Sequence, residues 1–252
     1  GISTLLDNNT SQDMYFAKYD GATGNLLFAS HLDHGLSTAT TGGVYPLGIS
    51  YDPNGNYFYI AGHYSKDVDF LNDNLIDLGS GPSSAAPFVA KFTENALGIA
   101  VVWAFPISDI SGTSPLPFYG VATDVEAYPG GFALSFEKYY GLGIVYNFNP
   151  RGSPFPEFNN NQTSYILRYD SDGIYQCHYT LPSNNFVNEL SVDLDKNIYF
   201  IGGRNINLAF SPGSQLGYSF YNTLFGVVNN NCEAKTFDLD GNNEDAGWSI
   251  AP

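Results

Sequence analysis

The sequence predicts an all-β fold made of repeated four-stranded units. Three observations support this prediction: an aromatic-rich composition with many turn residues, a strand motif that recurs four times, and a strand–turn–strand motif that precedes it. Of the 252 residues, 16% are aromatic, and 27 are glycine and 14 proline. Aromatic and β-branched residues favour strands, and Gly, Pro, Asn and Asp favour tight turns. The chain is long enough to bury a sizeable core as a single all-β domain over 1–252.

The recurring motif is an apolar strand, followed by a polar turn and a second strand. Lys18, Lys91 and Arg168 stand at the centres of three copies and Val227 at the centre of the fourth, with spacings of 73, 77 and 59 residues. Period-two alternation and β-branched or aromatic content predict strands here. The copies are 15–20, 88–93, 165–170 and 224–229, and the strands that follow them are 25–30, 98–105, 174–181 and 232–239.

A strand–turn–strand motif precedes this pair in each unit. Residues 49–62 match residues 190–203 at a constant offset of 141 without a gap, and a middle copy runs over 121–137. Four antiparallel strands per unit, repeated radially, form the blades of a β-propeller, and such repeats bury their faces by stacking on their neighbours. The prediction is a β-propeller of about four blades with almost no helix. Its complete blade units are 43–112, 117–183 and 186–242.

The fourth blade is predicted to be split between the two ends of the chain, from 245–252 and 1–36. Ser249 stands where Ser50 and Ser191 stand in the complete units, so 245–252 resembles a first strand. About 20 residues, a second strand with its loop, are unaccounted for. The chain is a fragment of a longer array, or the last blade has three strands, or a neighbouring subunit donates the strand. An open sheet edge accepts another strand. The residues expected at this edge are Trp248, Ser249, Ile250, Ile2 and Leu5.

Charge and hydropathy exclude several classes of partner. The chain has 9 basic and 25 acidic residues, a net charge of −16. This sign repels phosphate backbones and anionic lipid, so we expect no nucleic-acid partner. No apolar run approaches the roughly 18–20 residues that span a bilayer, so we expect no membrane insertion. The chain begins at Gly1, and we interpret it as a mature, processed or trimmed chain.

Sequons and cysteines indicate an extracellular or cell-surface location. Asn8, Asn9 and Asn161 begin N-x-S/T sequons and are the candidate glycosylation sites. Cys177 and Cys232 fall in or near the fourth strands of adjacent units. A disulfide between them is plausible in an oxidising compartment, although sequence alone does not show that their Cα atoms come within bridging distance.

Polar clusters give weaker candidates for metal binding, and no other cofactor is expected. The best calcium candidate follows the fourth strand of the last unit, but it lacks the full spacing of a calcium loop with a distal bidentate Glu. A His-rich loop has two imidazoles and one carboxylate, with no further ligand nearby. The calcium candidates are Asp238, Asp240, Asn242 and Glu244, and the His-rich loop contains His31, Asp33 and His34.

Asp124 and Glu126 are the candidate catalytic pair. They lie on a predicted first strand, which lines the central channel of a propeller, and two carboxylates there could serve glycoside hydrolysis. However, they sit two residues apart on one strand, and we expect the equivalent positions of the other units not to be acidic. A structural or solvating role is the favoured interpretation.

The motif Phe-Val-Ala-Lys-Phe at 88–92, preceded by 77–81 and followed by Trp103, resembles bacterial β-propeller repeat proteins of the SBBP type. Residues 15–21 together with 24–27 show the same resemblance, which covers most of the chain at the level of the repeat. The resemblance implies an extracellular, cell-surface or matrix protein without assigned catalysis.

The sequence therefore favours a non-enzymatic, secreted structural or adhesive protein. Its expected partners are other copies of itself or other surface proteins, in a filament or surface layer assembled by strand or edge complementation. Two alternatives are a carbohydrate-binding, lectin-like module that uses Tyr, Phe and Asn of the loops, and a glycoside hydrolase that uses Asp124 or Glu126.

Overall fold

The computed structural model describes residues 14–32, 43–52, 54–65, 68–70, 73–75, 85–95, 98–109, 119–140, 145–153, 156–158, 163–182, 185–205 and 221–239, which contain 19 strands and no helix. The strands of the first half are β1 (Met14–Tyr19), β2 (Leu26–Leu32), β3 (Gly43–Asp52), β4 (Tyr57–Ser65), β5 (Val68–Phe70), β6 (Asp73–Leu75), β7 (Ala86–Asn95), β8 (Gly98–Pro106), β9 (Ser108–Asp109) and β10 (Tyr119–Tyr128). Those of the second half are β11 (Gly131–Tyr140), β12 (Val145–Asn147), β13 (Pro156–Phe158), β14 (Thr163–Asp170), β15 (Tyr175–Thr180), β16 (Asn185–Val192), β17 (Ile198–Asn205), β18 (Tyr221–Val228) and β19 (Ala234–Leu239).

Three antiparallel sheets of four strands carry the repeat. The first sheet has the order β3-β4-β7-β8, the second β10-β11-β14-β15 and the third β16-β17-β18-β19. The N-terminal hairpin, β1 and β2, forms a two-stranded sheet. The all-β class and the repeated four-stranded antiparallel unit are therefore confirmed. The sheets do not close into a ring, so the propeller itself stays a prediction.

The arms between second and third strands contain small sheets that the sequence did not indicate. In the first sheet's arm, β5 pairs with β6. In the second sheet's arm, β12 pairs with β13, and β9, which lies between β8 and β10, joins them in the order β13-β12-β9. These strands have only two or three residues. A pattern of period two cannot be recognised over so short a run.

A β-bulge at the same place in every first strand aligns the three sheets. A bulge inserts one extra residue, which bends the strand and increases its twist. The residues that follow the bulge are therefore equivalent in the three sheets. The register shifts lie between Pro46 and Gly48, between Ala122 and Asp124, and between Val187 and Glu189.

The predicted constant offset of 141 between the first and third sheets is wrong in the second strand. Ser50 pairs with Tyr59, whereas Ser191 pairs with Tyr199, so the second strands are offset by 140. The turn between first and second strands is one residue shorter in the third sheet. The similarity of the Asp and Asn residues in the two turns hid this deletion.

Aromatic side chains fill the core between neighbouring sheets. Phe132 of the second sheet stacks between Tyr59 of the first sheet, at 4.7 Å, and Tyr169 of its own sheet, at 4.9 Å. Phe16 of the hairpin meets Phe92 of the first sheet at 5.1 Å. The units therefore pack in chain order, from hairpin to third sheet. Each fully buried aromatic side chain contributes roughly 1.5–3 kcal/mol through removal from water.

Candidate functional site

A basic side chain at the centre of the third strand joins each unit to the next. Lys91 Nζ donates a hydrogen bond to the carbonyl of Ser171, in the second sheet's last turn, at 2.7 Å. The ammonium group lies 3.9 Å from the centre of the Tyr57 ring. Burial lowers the pKa of Lys91. The contact with a carbonyl and an aromatic face compensates part of the cost of burying the charge.

Arg168 makes the same connection between the second and third sheets. Its Nη1 donates to Asn230 Oδ1 at 2.6 Å, and its Nη2 donates to the carbonyl of Lys196. The guanidinium group lies 5.1 Å from the centre of the Tyr128 ring. At the hairpin, Lys18 forms a half-exposed ion pair with Glu94 of the first sheet.

The recurring basic residue of the sequence is thus a clasp between neighbouring units. Tyr59 pairs with Lys91 in the first sheet, and Tyr199 pairs with Val227 in the third. Val227 therefore occupies the clasp position, as the sequence alignment indicated, but it has no group that could donate to a following unit.

A disulfide adds a covalent link between the second and third sheets. Cys177 of β15 is bonded to Cys232, which lies in the turn between β18 and β19, and their Cα atoms are 6.1 Å apart. These are the only two cysteines of the chain. The pair proposed from the sequence is therefore joined in the structure.

The two candidate catalytic carboxylates bind neighbouring first strands. Asp124 Oδ1 accepts the N–H of Val125 at 2.8 Å, and its Oδ2 accepts the N–H of Leu190 of the third sheet at 2.7 Å. Glu126 Oε2 accepts the hydroxyl of Ser50 of the first sheet at 2.9 Å. That hydroxyl oxygen also accepts a backbone N–H of the second sheet at 2.9 Å. Both acids therefore connect sheets.

Burial changes the protonation of these acids. It raises the pKa of Asp124 to about 7, although the two N–H donors act in the opposite direction. Burial also raises the pKa of Glu126. The expectation that equivalent positions are not acidic is wrong in the third sheet, because the bulge aligns Asp124 with Glu189. The charge of Glu189 contributes to raising both pKa values.

The upstream face of the hairpin, formed by Tyr15, Ala17 and Tyr19, is open. Tyr15 is 70% exposed and Tyr19 is 59% exposed. The equivalent residues of the first and second sheets are fully buried, and two of them, Phe92 and Tyr169, contact aromatic rings of the preceding unit at 5.1 and 5.7 Å. Those equivalents are Phe88 and Phe92 in the first sheet and Tyr165 and Tyr169 in the second, all 0% exposed.

The upstream side of the first strand β3 is open as well. Ile49 is 68% exposed, whereas the equivalent Val125 and Leu190 are 1% and 3% exposed. Preceding sheets cover Val125 and Leu190. Among the described residues, only the two strands of the hairpin precede β3, and they leave Ile49 uncovered.

A cavity of about 550 Å³ lies between the hairpin and the first sheet. Among the described residues, β1 pairs only with β2, whereas β7, β14 and β18 pair on both edges. The cavity lies where a second strand would be expected beside β1. Its lining includes Met14, Phe16, Ile49, Phe58 and Ile60.

Most of the other sequence-predicted sites lie outside the described residues. Two of the predicted residues are described: Asp238 belongs to β19 and pairs with Leu224, and His31 belongs to β2. The described part of the chain contains no group of three or more His, Cys, Asp or Glu arranged to hold a metal ion. The predicted residues outside are Asn8, Asn9 and Asn161, then Asp240, Asn242 and Glu244, then Asp33 and His34, and then Trp248, Ser249, Ile250, Ile2 and Leu5.

Two other Asp-containing turns use their carboxylates to bind their own backbone. Asp170 Oδ1 accepts the N–H groups of Asp172 and Ile174, and Asp52 Oδ1 accepts the N–H of Asn54. Asx turns of this kind are the ordinary reason for Asp in a tight turn.

No helix in the described ranges is long and apolar enough to cross a membrane. No protein-family model matches the chain, and no curated protein matches it. The resemblance to SBBP-type repeat proteins therefore stays a prediction.

Proposed function

We propose that this chain is a non-enzymatic structural or adhesive protein of the extracellular surface that assembles with copies of itself. In this proposal the three sheets and the hairpin are units of a four-bladed propeller whose last blade is incomplete. The observation that carries the proposal is the exposure of Tyr15 and Tyr19 at positions that are buried in the next two units. Exposed apolar patches of this kind typically mark interaction surfaces.

The opposite end of the stack offers a matching surface. The downstream face of the third sheet carries Tyr199, Val227 and the half-exposed Phe237, which stacks on Phe225 at 4.9 Å. The internal junctions join a downstream face to an upstream face. A contact between two copies that repeats this junction uses two different surfaces, so it is heterologous and extends into an open filament when it does not close on itself.

The disulfide and the sequons support the proposed extracellular location, and the contacts of the two buried acids support a non-enzymatic role. A disulfide between two sheets suits an oxidising, extracellular compartment, in agreement with the sequons at Asn8, Asn9 and Asn161. Asp124 and Glu126 each bind a neighbouring strand, which favours a structural role over glycoside hydrolysis. The acidic net charge argues against nucleic-acid partners.

Sedimentation velocity and negative-stain microscopy over a range of concentrations test the proposal. The unmodified chain is expected to form oligomers or filaments, and Tyr15→Lys with Tyr19→Lys is expected to reduce them. Leu194→Lys is the matched control, because Leu194 is 94% exposed on a turn of the third sheet. A monodisperse monomer at every concentration, closed by its own strands, would count against assembly.

Carbohydrate binding is a second candidate function. Tyr15 and Tyr51 line the cavity and are exposed, and exposed aromatic rings can stack on sugar rings. Binding to defined glycans on an array, lost in Tyr51→Ala, would support this alternative. A blank array together with self-association would leave the structural function.

A further inference from the structure

No described strand pairs with the second edge of β1, and this edge and the cavity beside it have the geometry of a missing strand. In the complete sheets a second strand pairs with the third, and its side chains cover the next unit. Tyr59, on the second strand of the first sheet, covers Phe132 in this way at 4.7 Å. Phe58 occupies the position of Phe132 in the first sheet, and it lines the cavity instead. The cavity is therefore the space that a second strand of the hairpin's sheet would fill.

The residues that line the cavity determine what kind of segment can fill it. It must be extended, because the unpaired N–H and C=O groups of β1 accept a strand. It must present apolar side chains, because Ile49, Phe58 and Phe16 face the space. Residues 2–6, Ile-Ser-Thr-Leu-Leu, combine apolar and β-branched residues without charge, a composition that favours strands.

The position of residues 2–6 within the repeat indicates that they fill the slot of another copy and not that of their own chain. Relative to Lys18, residues 2–6 stand where residues 75–79 stand relative to Lys91, which is in the arm and not in the second strand. Seven residues, 7–13, connect this segment to β1, and an extended chain of that length spans roughly 23 Å, which exceeds the roughly 10 Å between stacked sheets. That reach is sufficient to cross from one copy to its neighbour.

We propose that residues 2–6 of a second copy of this chain insert into the cavity beside β1 and pair with its free edge. This inference rests on the proposed self-association and adds the donor segment and the acceptor slot. Main-chain hydrogen bonds to β1 provide affinity, and contact with Ile49 and Phe58 provides specificity, as in other cases of β-strand addition.

Ile49→Asp tests the acceptor slot. Ile49 is 68% exposed in the single chain, so the variant is expected to keep the melting temperature of the monomer. It places an unpaired charge against the inserted strand, so association in sedimentation is expected to weaken at least tenfold. Leu194→Asp places the same charge at a residue that is 94% exposed and does not line the cavity, and it is expected to associate normally. Undiminished association of Ile49→Asp would overturn the slot while leaving self-association by other faces intact.

Mixed cross-linking tests the donor. Single cysteine variants at positions 2 to 6 are each mixed with Ile49→Cys chains and then oxidised. The native cysteines are already paired, so the engineered thiols are available for cross-linking. Cross-links between chains that alternate with a period of two along the segment are expected for an inserted strand. The absence of cross-links in the mixture, or cross-links confined within one chain in double variants, would overturn insertion between copies. A chain that never self-associates would refute the proposed function itself.

Discussion

Val125 and Ile49 hold the same position in the first strands of neighbouring sheets, three residues after the last paired residue before the bulge. Val125 is 1% exposed, whereas Ile49 is 68% exposed. Both are β-branched aliphatic residues, so residue type does not explain the difference. Val125 follows a complete four-stranded sheet, whereas Ile49 follows a hairpin of two described strands. The comparison shows that burial in this chain is set by the unit that comes before.

The same contrast separates the aromatic residues of the third strands. Tyr19 and Tyr169 are chemically identical and directly follow the clasp residue in their units, but Tyr19 is exposed and Tyr169 is buried against Phe105 of the preceding sheet. A repeat retains apolar residues at positions that face a neighbouring unit. An exposed member of such a set therefore indicates a missing neighbour, which is the basis for proposing assembly.

The largest expected effect comes from placing a charge at the two equivalent positions. Val125→Asp buries an unpaired carboxylate between two sheets and is expected to lower the free energy of unfolding by about 4–5 kcal/mol. Ile49→Asp is expected to change it by less than about 1 kcal/mol. Urea denaturation followed by circular dichroism, at a concentration where the chain is monomeric, measures both. Equal losses would show that Ile49 is covered within the single chain.

Loss of the disulfide is expected to be the next largest effect. Cys177 and Cys232 are separated by 55 residues, and closing a loop of this size restricts the unfolded chain by about 4 kcal/mol. Replacing both residues with Ala is expected to reduce the free energy of unfolding by roughly that amount. The same denaturation experiment measures it, and reduction of the unmodified protein provides the control. A loss below about 1 kcal/mol would show that the second and third sheets hold together without the bond.

Much of the fold could be predicted from the sequence because strand alternation and turn residues are local signals. The third and fourth strands, the clasp residues and the equivalence of Val227 to Lys91 follow from such patterns. The deletion of one turn residue in the third sheet could not, because Asp195 and Asn197 fit either alignment. The open faces could not either, because Tyr15 has the same apolar character as its buried equivalents. Exposure depends on which units are adjacent, and that information is not local.

The pH dependence of stability sharpens the comparison at the junction of the second and third sheets. Burial raises the folded-state pKa of Asp124 to about 7, above its ordinary value of 3.8. Folding therefore favours the protonated acid, and the stability this provides is present below about pH 4 and is lost as pH rises towards 7. The expected loss is roughly 2–3 kcal/mol, allowing for partial solvent screening.

Asp124→Asn removes this titration and is the test. The difference in unfolding free energy between the unmodified chain and the variant is expected to become less favourable to the unmodified chain between pH 4 and pH 8. Glu126, whose pKa is also raised by burial, remains in both proteins and cancels to first order. A difference that stays constant with pH would mean that Asp124 is solvated and that the first strands are loosely packed.

Substitutions of the clasp residues are expected to have the smallest effect on the free energy of unfolding. They compare the same kind of contact at a buried junction and at a half-exposed one. Arg168 is buried, and Arg168→Met leaves the carbonyl of Lys196 and the amide of Asn230 without their donor, at an expected cost of about 2 kcal/mol. Lys18 is half-exposed, and Lys18→Met is expected to cost less than about 1 kcal/mol. Both are read from the midpoint of urea denaturation in the monomeric chain. If Lys18→Met proved as costly as Arg168→Met, the hairpin would be held as firmly as an internal sheet. Its junction with the first sheet would then be a permanent part of the stack, and the downstream face of the third sheet, where Val227 leaves the clasp position without a charge, would be the surface for assembly.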